Sequence, residues 1–330
     1  MSDLNPNKDR PVDGVQDDGI TSISWSPKAN YFVATSWNSQ IRCWQADMSG
    51  QSIGRGETKQ EGPVLCSAWK GDGTQVFTGG CDNKALCWDV GSGTTVLCAQ
   101  HAAPIRQIAY SDHLNCLITA SWDKTVKFWD ARKSNPLVHS LQLSERVYCM
   151  DIKNRLMVVG VAQKDLYVYD LQNPQRELKH YTSPLKYQSR CVACFPNATG
   201  FALGSVEGRV AIQDINTPSK SFEFKCHRQG NNIFAVNSIS FHPGYGTLAT
   251  AGADGSFHFW DKDSRQRLKG FQKMHTSISC SSFNGDGSLY AYAASYDWSK
   301  GHAFYQSMKQ NVICIHRATD SEIRDRPRPR

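Results

Sequence analysis

An all-β fold, a seven-bladed β-propeller, is predicted for this 330-residue chain by three observations. The first is a figure of strand end, tight polar turn and second strand closing on Trp-Asp, seen as Ser121-Trp-Asp-Lys-Thr-Val-Lys-Phe-Trp-Asp130. It recurs over residues 81–89 and 253–261 and, more weakly, from Asn38 to Trp44, each time with the tryptophan six residues after the turn residue. The second is spacing. Trp44, Trp88, Trp129, Tyr169-Asp170, Gln213-Asp214 and Trp260-Asp261 follow one another at about 40–45 residues, the length of one four-stranded blade. The third is a matching apolar strand in every copy, over residues 32–36, 76–80, 117–121, 157–161, 201–205, 248–252 and 290–294. Seven copies of a Trp-Asp (WD) repeat make one ring.

Taken in order, residues 1–19 form a polar, turn-rich N-terminal arm with a short extended stretch from Lys8 to Val12. The propeller occupies 20–317, beginning at Ile20-Thr-Ser-Ile-Ser-Trp25, with its last blade ending near Tyr305. Rings of this kind close by lending a terminal strand to the last blade, which removes an open edge. Two stretches compete for that place, the arm and Asn311-Val-Ile-Cys-Ile-His316. Residues 318–330 read as a basic disordered tail, rich in proline and arginine.

Composition excludes several classes. With 40% hydrophobic and 11% aromatic residues the chain has ample core, and no apolar run approaches the roughly 20 residues that span a bilayer. The polar start, Met1 to Arg10, is unlike a secretory signal, so a soluble, intracellular chain is expected. Most of the twelve cysteines sit in strand patterns, where a free thiol behaves as a small hydrophobe. The single Cys-x-x-Cys, Cys191 to Cys194, lies on a strand, where residues three apart face opposite sides and cannot chelate one metal. No metal or cofactor is expected.

His101, Thr119, Asp123 and Trp129 fall where a propeller blade carries a hydrogen-bonded chain. The set could pass for a catalytic triad, but buried polar groups locking a blade account for it better. Blades four and five lack the tryptophan and must rely on apolar packing. There is no phosphate-binding Gly-x-x-x-x-Gly-Lys loop and no Gly-x-Ser-x-Gly elbow. The sequence Asp261-Lys-Asp-Ser-Arg265 starts like a calcium loop but puts a repelling arginine at the fifth position. An enzyme is not expected.

Two features are left over. Trp37 and Trp122 stand just before the turns between the second and third strands of blades one and three, on one rim of the ring. They are candidate anchors for a partner, tryptophan near arginine being the residue mix of binding hot spots; the alternative is that they fill space between blades. The other feature is charge. The formal net charge is +7, with four arginines against one aspartate in the last seven residues. Lys262, Arg265, Arg267, Lys269 and Lys273 face one acid, Asp263, and Lys225, His227 and Arg228 form a second basic group beside Phe222, Phe224 and Trp260. Cations interleaved with rings suit single-stranded nucleic acid, phosphates meeting the cations and bases the rings; the alternative is a solvated positive face.

Phe224-Lys-Cys-His-Arg228, Gly208-Arg-Val-Ala-Ile212, Phe259-Trp-Asp-Lys-Asp263 and Ser295-Tyr-Asp-Trp-Ser-Lys-Gly-His302 together resemble the nuclear mRNA export factors of the Rae/Gle family, WD-repeat propellers of the nuclear pore. The likeness runs from about Asn5 to His316 and lacks only a Gly-Phe-rich leader. It implies a monomeric, non-enzymatic adaptor in a heteromeric complex, located in the nucleus and at the nuclear envelope and shuttling to the cytoplasm. It implies two partners, the GLEBS segment of an FG nucleoporin on the Trp37 and Trp122 rim and single-stranded RNA in a basic groove. Carried residue by residue, that groove comprises Arg209, Phe224, Trp260, Asp261, Lys262, Arg265 and Arg267, with no membrane or small-molecule substrate involved. The alternative is the related spindle-checkpoint propeller, which binds GLEBS-containing kinases and resembles this chain less in blade seven. A substrate receptor of a ubiquitin ligase is a third reading.

Overall fold

In a computed structural model, which describes residues 4–305 and 311–324, seven four-stranded antiparallel sheets are arranged around one axis. Blade one is Ile20–Trp25, Tyr31–Ser36, Gln40–Ala46 and Ser52–Lys59 from the inside outward. Blades two to six repeat the plan and end in the outer strands Thr95–Gln100, Leu137–Gln142, Glu177–Thr182, Phe222–Lys225 and Gln266–Gly270. The innermost strands touch in sequence right round the ring, and that of blade seven meets that of blade one.

Each second strand is the apolar run noted in the sequence, and each is buried almost throughout because it has a sheet neighbour on both edges and a blade on both faces. The polar turn that follows has a local cause. Asn38, Asp82, Asp123 and Asp254 each accept, on Oδ1, the backbone N–H two residues on, at 3.0–3.1 Å. Between acceptor and donor sits a residue with positive φ: Ser39, Asn83, Lys124 or Gly255. Blade four, without tryptophan, instead buries Tyr169 completely among Phe128, Met150 and Met157. All twelve cysteines are free, and Cys191 and Cys194 turn their thiols to different carbonyls, those of Val236 and Asp151.

Blade seven differs from expectation. After Ile278–Phe283 and Leu289–Ala294 the chain leaves the sheet, so residues up to Tyr305 form no third strand. The third strand is Val312–Arg317, and Arg10–Pro11 pairs outside it, Arg10 opposite Ile315 and Pro11 opposite Cys314. The two competing stretches therefore both serve, side by side. Proline is tolerated on an outer edge because it owes no hydrogen bond there. Residues 318–330 are also not all tail: Thr319 caps a short helix, Asp320–Ile323, whose Ile323 is buried against blades six and seven. Residues 325–330 lie outside the described residues.

The ends are clasped by one imidazole. His316 Nδ1 bonds Asp9 at 2.7 Å and its Nε2 bonds Glu322 at 3.1 Å, while the Tyr292 hydroxyl donates to the other Asp9 oxygen at 2.8 Å. Burial alone would lower the His316 pKa, but the hydrogen bonds and charges of Asp9 and Glu322 outweigh it and raise it to about 9. A pKa raised by folding means stability that is whole below the unfolded value of about 6.5 and is lost as pH climbs through about 9. Unfolding free energy should therefore fall by on the order of 2 kcal/mol between pH 7 and pH 10. His316→Gln should be less stable at pH 7 and show a flatter profile over that range, measured by denaturant titration at each pH. Parallel profiles for the two proteins would show that the clasp carries no ionic component.

Candidate functional site

The blade-three chain is present as read. His101 Nδ1 donates to Asp123 at 2.8 Å, His101 Nε2 lies 2.7 Å from Thr119 Oγ1, and the Trp129 indole N–H donates to the same hydroxyl at 2.8 Å. Burial opposes ionisation of Asp123, but hydrogen bonds from His101 and Thr125 hold its carboxyl far below the usual range. A second chain of the same kind was not foreseen. His227, Asp254, Thr250 and Trp260 repeat it in blade six at 2.8, 3.0 and 2.9 Å. The histidine-to-aspartate separation is 22 residues in blade three and 27 in blade six, because the hairpin strands Arg228–Gln229 and Asn232–Ile233 intervene. That insertion hid the pattern. Both histidines have fully buried side chains with both ring nitrogens engaged, so neither chain meets a substrate as a base.

This changes how the basic group is read. His227 belongs to the buried chain, and Arg228 reaches back to the carbonyls of Glu207 and Gly208, so Lys225 is the exposed cation of the three. The other candidates gather well. Phe224, Trp260, Asp261, Lys262 and Arg265 line one cleft of about 250 Å³ between blades five and six. Phe224 and Trp260 have ring centroids 4.8 Å apart, and the Arg265 guanidinium lies 4.4 Å from the centre of the Phe222 ring. Lys262 is less free than expected, held at 2.6 Å by Asp263 and lying over Phe195. Asp261 spends its carboxylate on the Asp263 N–H. Arg209, paired with Glu207 and Glu223, stands outside the cleft lining, as does exposed Arg267, the cross-strand partner of Trp260.

The tryptophan rim lies at the other end of the strands. Trp122 is half-buried, and its indole N–H finds no acceptor among the described residues. Trp37 is not alone, because the excursion of blade seven folds over towards it and places Trp298 with ring centroids 6.0 Å apart. Trp298 is itself stacked on Tyr305 at 5.0 Å, and the Tyr305 hydroxyl donates to Asp18. The contact needs Gly19, where a Cβ would meet Trp37 at 3.1 Å. Trp298 was visible only as part of a motif, since nothing local says that the excursion turns back over blade one.

Beside this rim the second residue of the inner strands of blades three and five is arginine. Arg190 reaches the Asp297 backbone carbonyl at 3.4 Å and its carboxylate at 4.0 Å, and Asn237 donates to that carboxylate at 3.0 Å. Arg106 has no hydrogen-bond or ionic partner among the described residues, and its desolvation lowers its pKa. A half-buried guanidinium without an anion is a ready donor site for a carboxylate.

The signature of the family described as "WD domain, G-beta repeat" matches residues 13–45, 53–89, 93–130 and 218–261, the four repeats that end in tryptophan. The "Protein RAE1" of Arabidopsis thaliana is 51% identical over 98% of this chain and 95% of its own length. The "Poly(A)+ RNA export protein" of Schizosaccharomyces pombe is 43% identical over 97% of this chain and 94% of its own. The "mRNA export factor" of Xenopus tropicalis is 46% identical over 96% and 91%.

The hydroxyl of Thr250 serves both His227 and Trp260, so Thr250→Val should leave two buried polar groups unpaired. The expected loss is about 1–3 kcal/mol, a fall in melting temperature of a few degrees by calorimetry. An unchanged melting curve would mean that the blade-six chain does not hold Trp260.

Proposed function

The chain belongs to the Rae1-type mRNA export factors, WD-repeat propellers with a role in mRNA export, and on that premise we propose that it is a non-enzymatic adaptor at the nuclear pore with two separate binding surfaces. On one rim it holds the GLEBS segment of an FG nucleoporin, with Trp122 as a free-standing anchor and Trp37 as one side of an aromatic wall completed by Trp298. Arg106 beside that rim fits an acidic residue of the bound segment. In the cleft between blades five and six it binds single-stranded RNA.

The observation that carries the RNA reading is the Arg265 guanidinium over Phe222 in the same cleft as the Phe224–Trp260 pair. Aromatic rings accept any base by its face, and an exposed arginine beside them neutralises phosphate. Because Lys262 and Arg209 already have carboxylate partners, Lys225 and Arg265 supply the free charge of the cleft lining, with exposed Arg267 beside it. The two surfaces lie at opposite ends of the strands, which lets one ring join a pore protein to a ribonucleoprotein.

On a single strand each phosphate contact contributes about 0.7 to the log–log salt slope. Replacing Arg265 and Arg267 together by glutamate should flatten the slope for an oligouridylate by more than about one, with nucleoporin-peptide binding retained. The rival account gives RNA to the arginine-proline tail. It is tested by truncation after Arg324, which spares the Glu322 and Ile323 contacts; loss of RNA binding there, with binding intact in the double glutamate protein, would sink the cleft.

Trp122→Ala should weaken the GLEBS peptide by about thirtyfold or more in calorimetric titration while barely moving the melting temperature. If affinity and melting temperature fall together, Trp122 is a packing residue.

A further inference from the structure

Blades two and three differ from the others at their outer edges. The outer strands of blades one, four, five and six all carry charged side chains, among them Arg55, Glu177, Lys225 and Lys269. Those of blades two and three, Thr-Val-Leu-Cys-Ala-Gln and Leu-Val-His-Ser-Leu-Gln, carry no acid, lysine or arginine. Charge on an outer strand is a common device that keeps a free edge from pairing with another chain. The Thr95–Gln100 edge lacks it. Val96 and Leu97 are also 60% and 55% exposed, and successive strand residues face opposite ways, so the edge offers apolar surface on both sides.

Behind this edge lies a cleft of about 530 Å³ between blades two and three, lined by Phe77, Leu97, Tyr110, Leu117, Trp129 and Lys133 among others. Phe77 and Tyr110 stack with centroids 5.4 Å apart. It is the repeat equivalent of the cleft between blades five and six, with Trp129 in the place of Trp260. Its charges are spent differently. Arg132 is held on Asp130 by two bonds of 2.7 and 2.8 Å, and Lys70 on Asp72 at 2.8 Å. Lys133 is the lining cation without a carboxylate partner among the described residues. A roomier, more apolar cleft with one free cation selects a polypeptide over a polyphosphate chain.

We propose that the free edge of Thr95–Gln100 and the adjoining cleft dock an extended segment of a partner protein. The segment adds to blade two as a fifth strand, seats an apolar side chain in the cleft and sets an acidic residue near Lys133. Main-chain hydrogen bonds to the unpaired edge supply affinity, and the cleft and the lysine supply register and direction.

The probe is a fluorescent synthetic peptide of alternating valine and threonine ending in two glutamates, titrated by anisotropy into the full chain. Saturable binding is expected, together with slowed amide exchange over residues 95–100. Leu97→Lys, a change at an exposed position, should weaken it at least about tenfold by restoring charge to the edge. Lys133→Glu should weaken it at least about threefold and strengthen binding of a peptide ending in two lysines. No saturable binding, or equal binding to Leu97→Lys, would overturn the proposal. Displacement of the peptide by oligouridylate would assign the cleft to RNA instead. A concentration-dependent dimer lost in Leu97→Lys would assign the edge to a second copy of the chain. Oligouridylate binding at the Arg265 cleft should be unchanged in Leu97→Lys, which keeps this test separate from the one above.

Discussion

A ring of sheets must join its own two ends, and here the join is an imidazolium between two carboxylates. Asp9 and His316 are 307 residues apart in sequence, yet they meet in the blade where the first and last strands pair. The polar clasp is surrounded by the rings of Phe257, Phe259 and Phe271, which keep water from screening it. Beneath it Val12, Ile20 and Phe32 pack with Ala291 and Ile313 across the seam between blades one and seven. The tryptophan rim depends on the same seam. Trp37 belongs to blade one and Trp298 to blade seven, and the Ile20 N–H donates to Ser295 at 2.9 Å just beneath them. The aromatic wall therefore spans the seam that closes the ring.

The indole N–H groups of this chain are bonded in several ways. Trp129 and Trp260 donate to a buried threonine and lock a blade, while still showing part of a ring to a cleft. Trp25 and Trp69 donate to backbone carbonyls of the preceding blade and hold neighbours together. Trp122 and Trp298 donate to nothing among the described residues, and neither does Trp88, which is buried inside the ring. A buried unpaired donor costs on the order of 1–3 kcal/mol, a cost that a bound partner with a carbonyl to offer can remove.

Repeated blades also place clefts at equivalent positions around the ring, and their decoration differs. Between blades five and six phenylalanines line the outer strand, and Arg265 has no carboxylate partner among the described residues. Between blades two and three the same positions hold valine and cysteine, and Arg132 is bound to its own aspartate. Which cation has a local carboxylate therefore differs between two clefts at equivalent places in the repeat.

Seven blades were legible in the sequence because each carries an apolar strand buried on both sides, and four of them add an Asx turn and a closing tryptophan. Such rules need only neighbouring residues. The blade-three chain from His101 to Trp129 was legible for the same reason, and so was the company of Trp260 with Lys262 and Arg265, which share one hairpin. What depended on distant residues was legible only in part. The arm and residues 311–316 could each be read as closing the last blade, but not that Arg10–Pro11 pairs outside Val312–Arg317; the clasp at His316 and the return of Trp298 to Trp37, which like that pairing join residues some 260 or more positions apart, could not be read. The blade-six chain escaped for a subtler reason, a hairpin that stretches its spacing without moving its atoms. Charge was the least legible of all. Lys262, Arg209 and His227 count as basic in a sequence, but whether a cation is free for a ligand depends on which carboxylate or hydroxyl the fold sets beside it, and only the tertiary structure decides that.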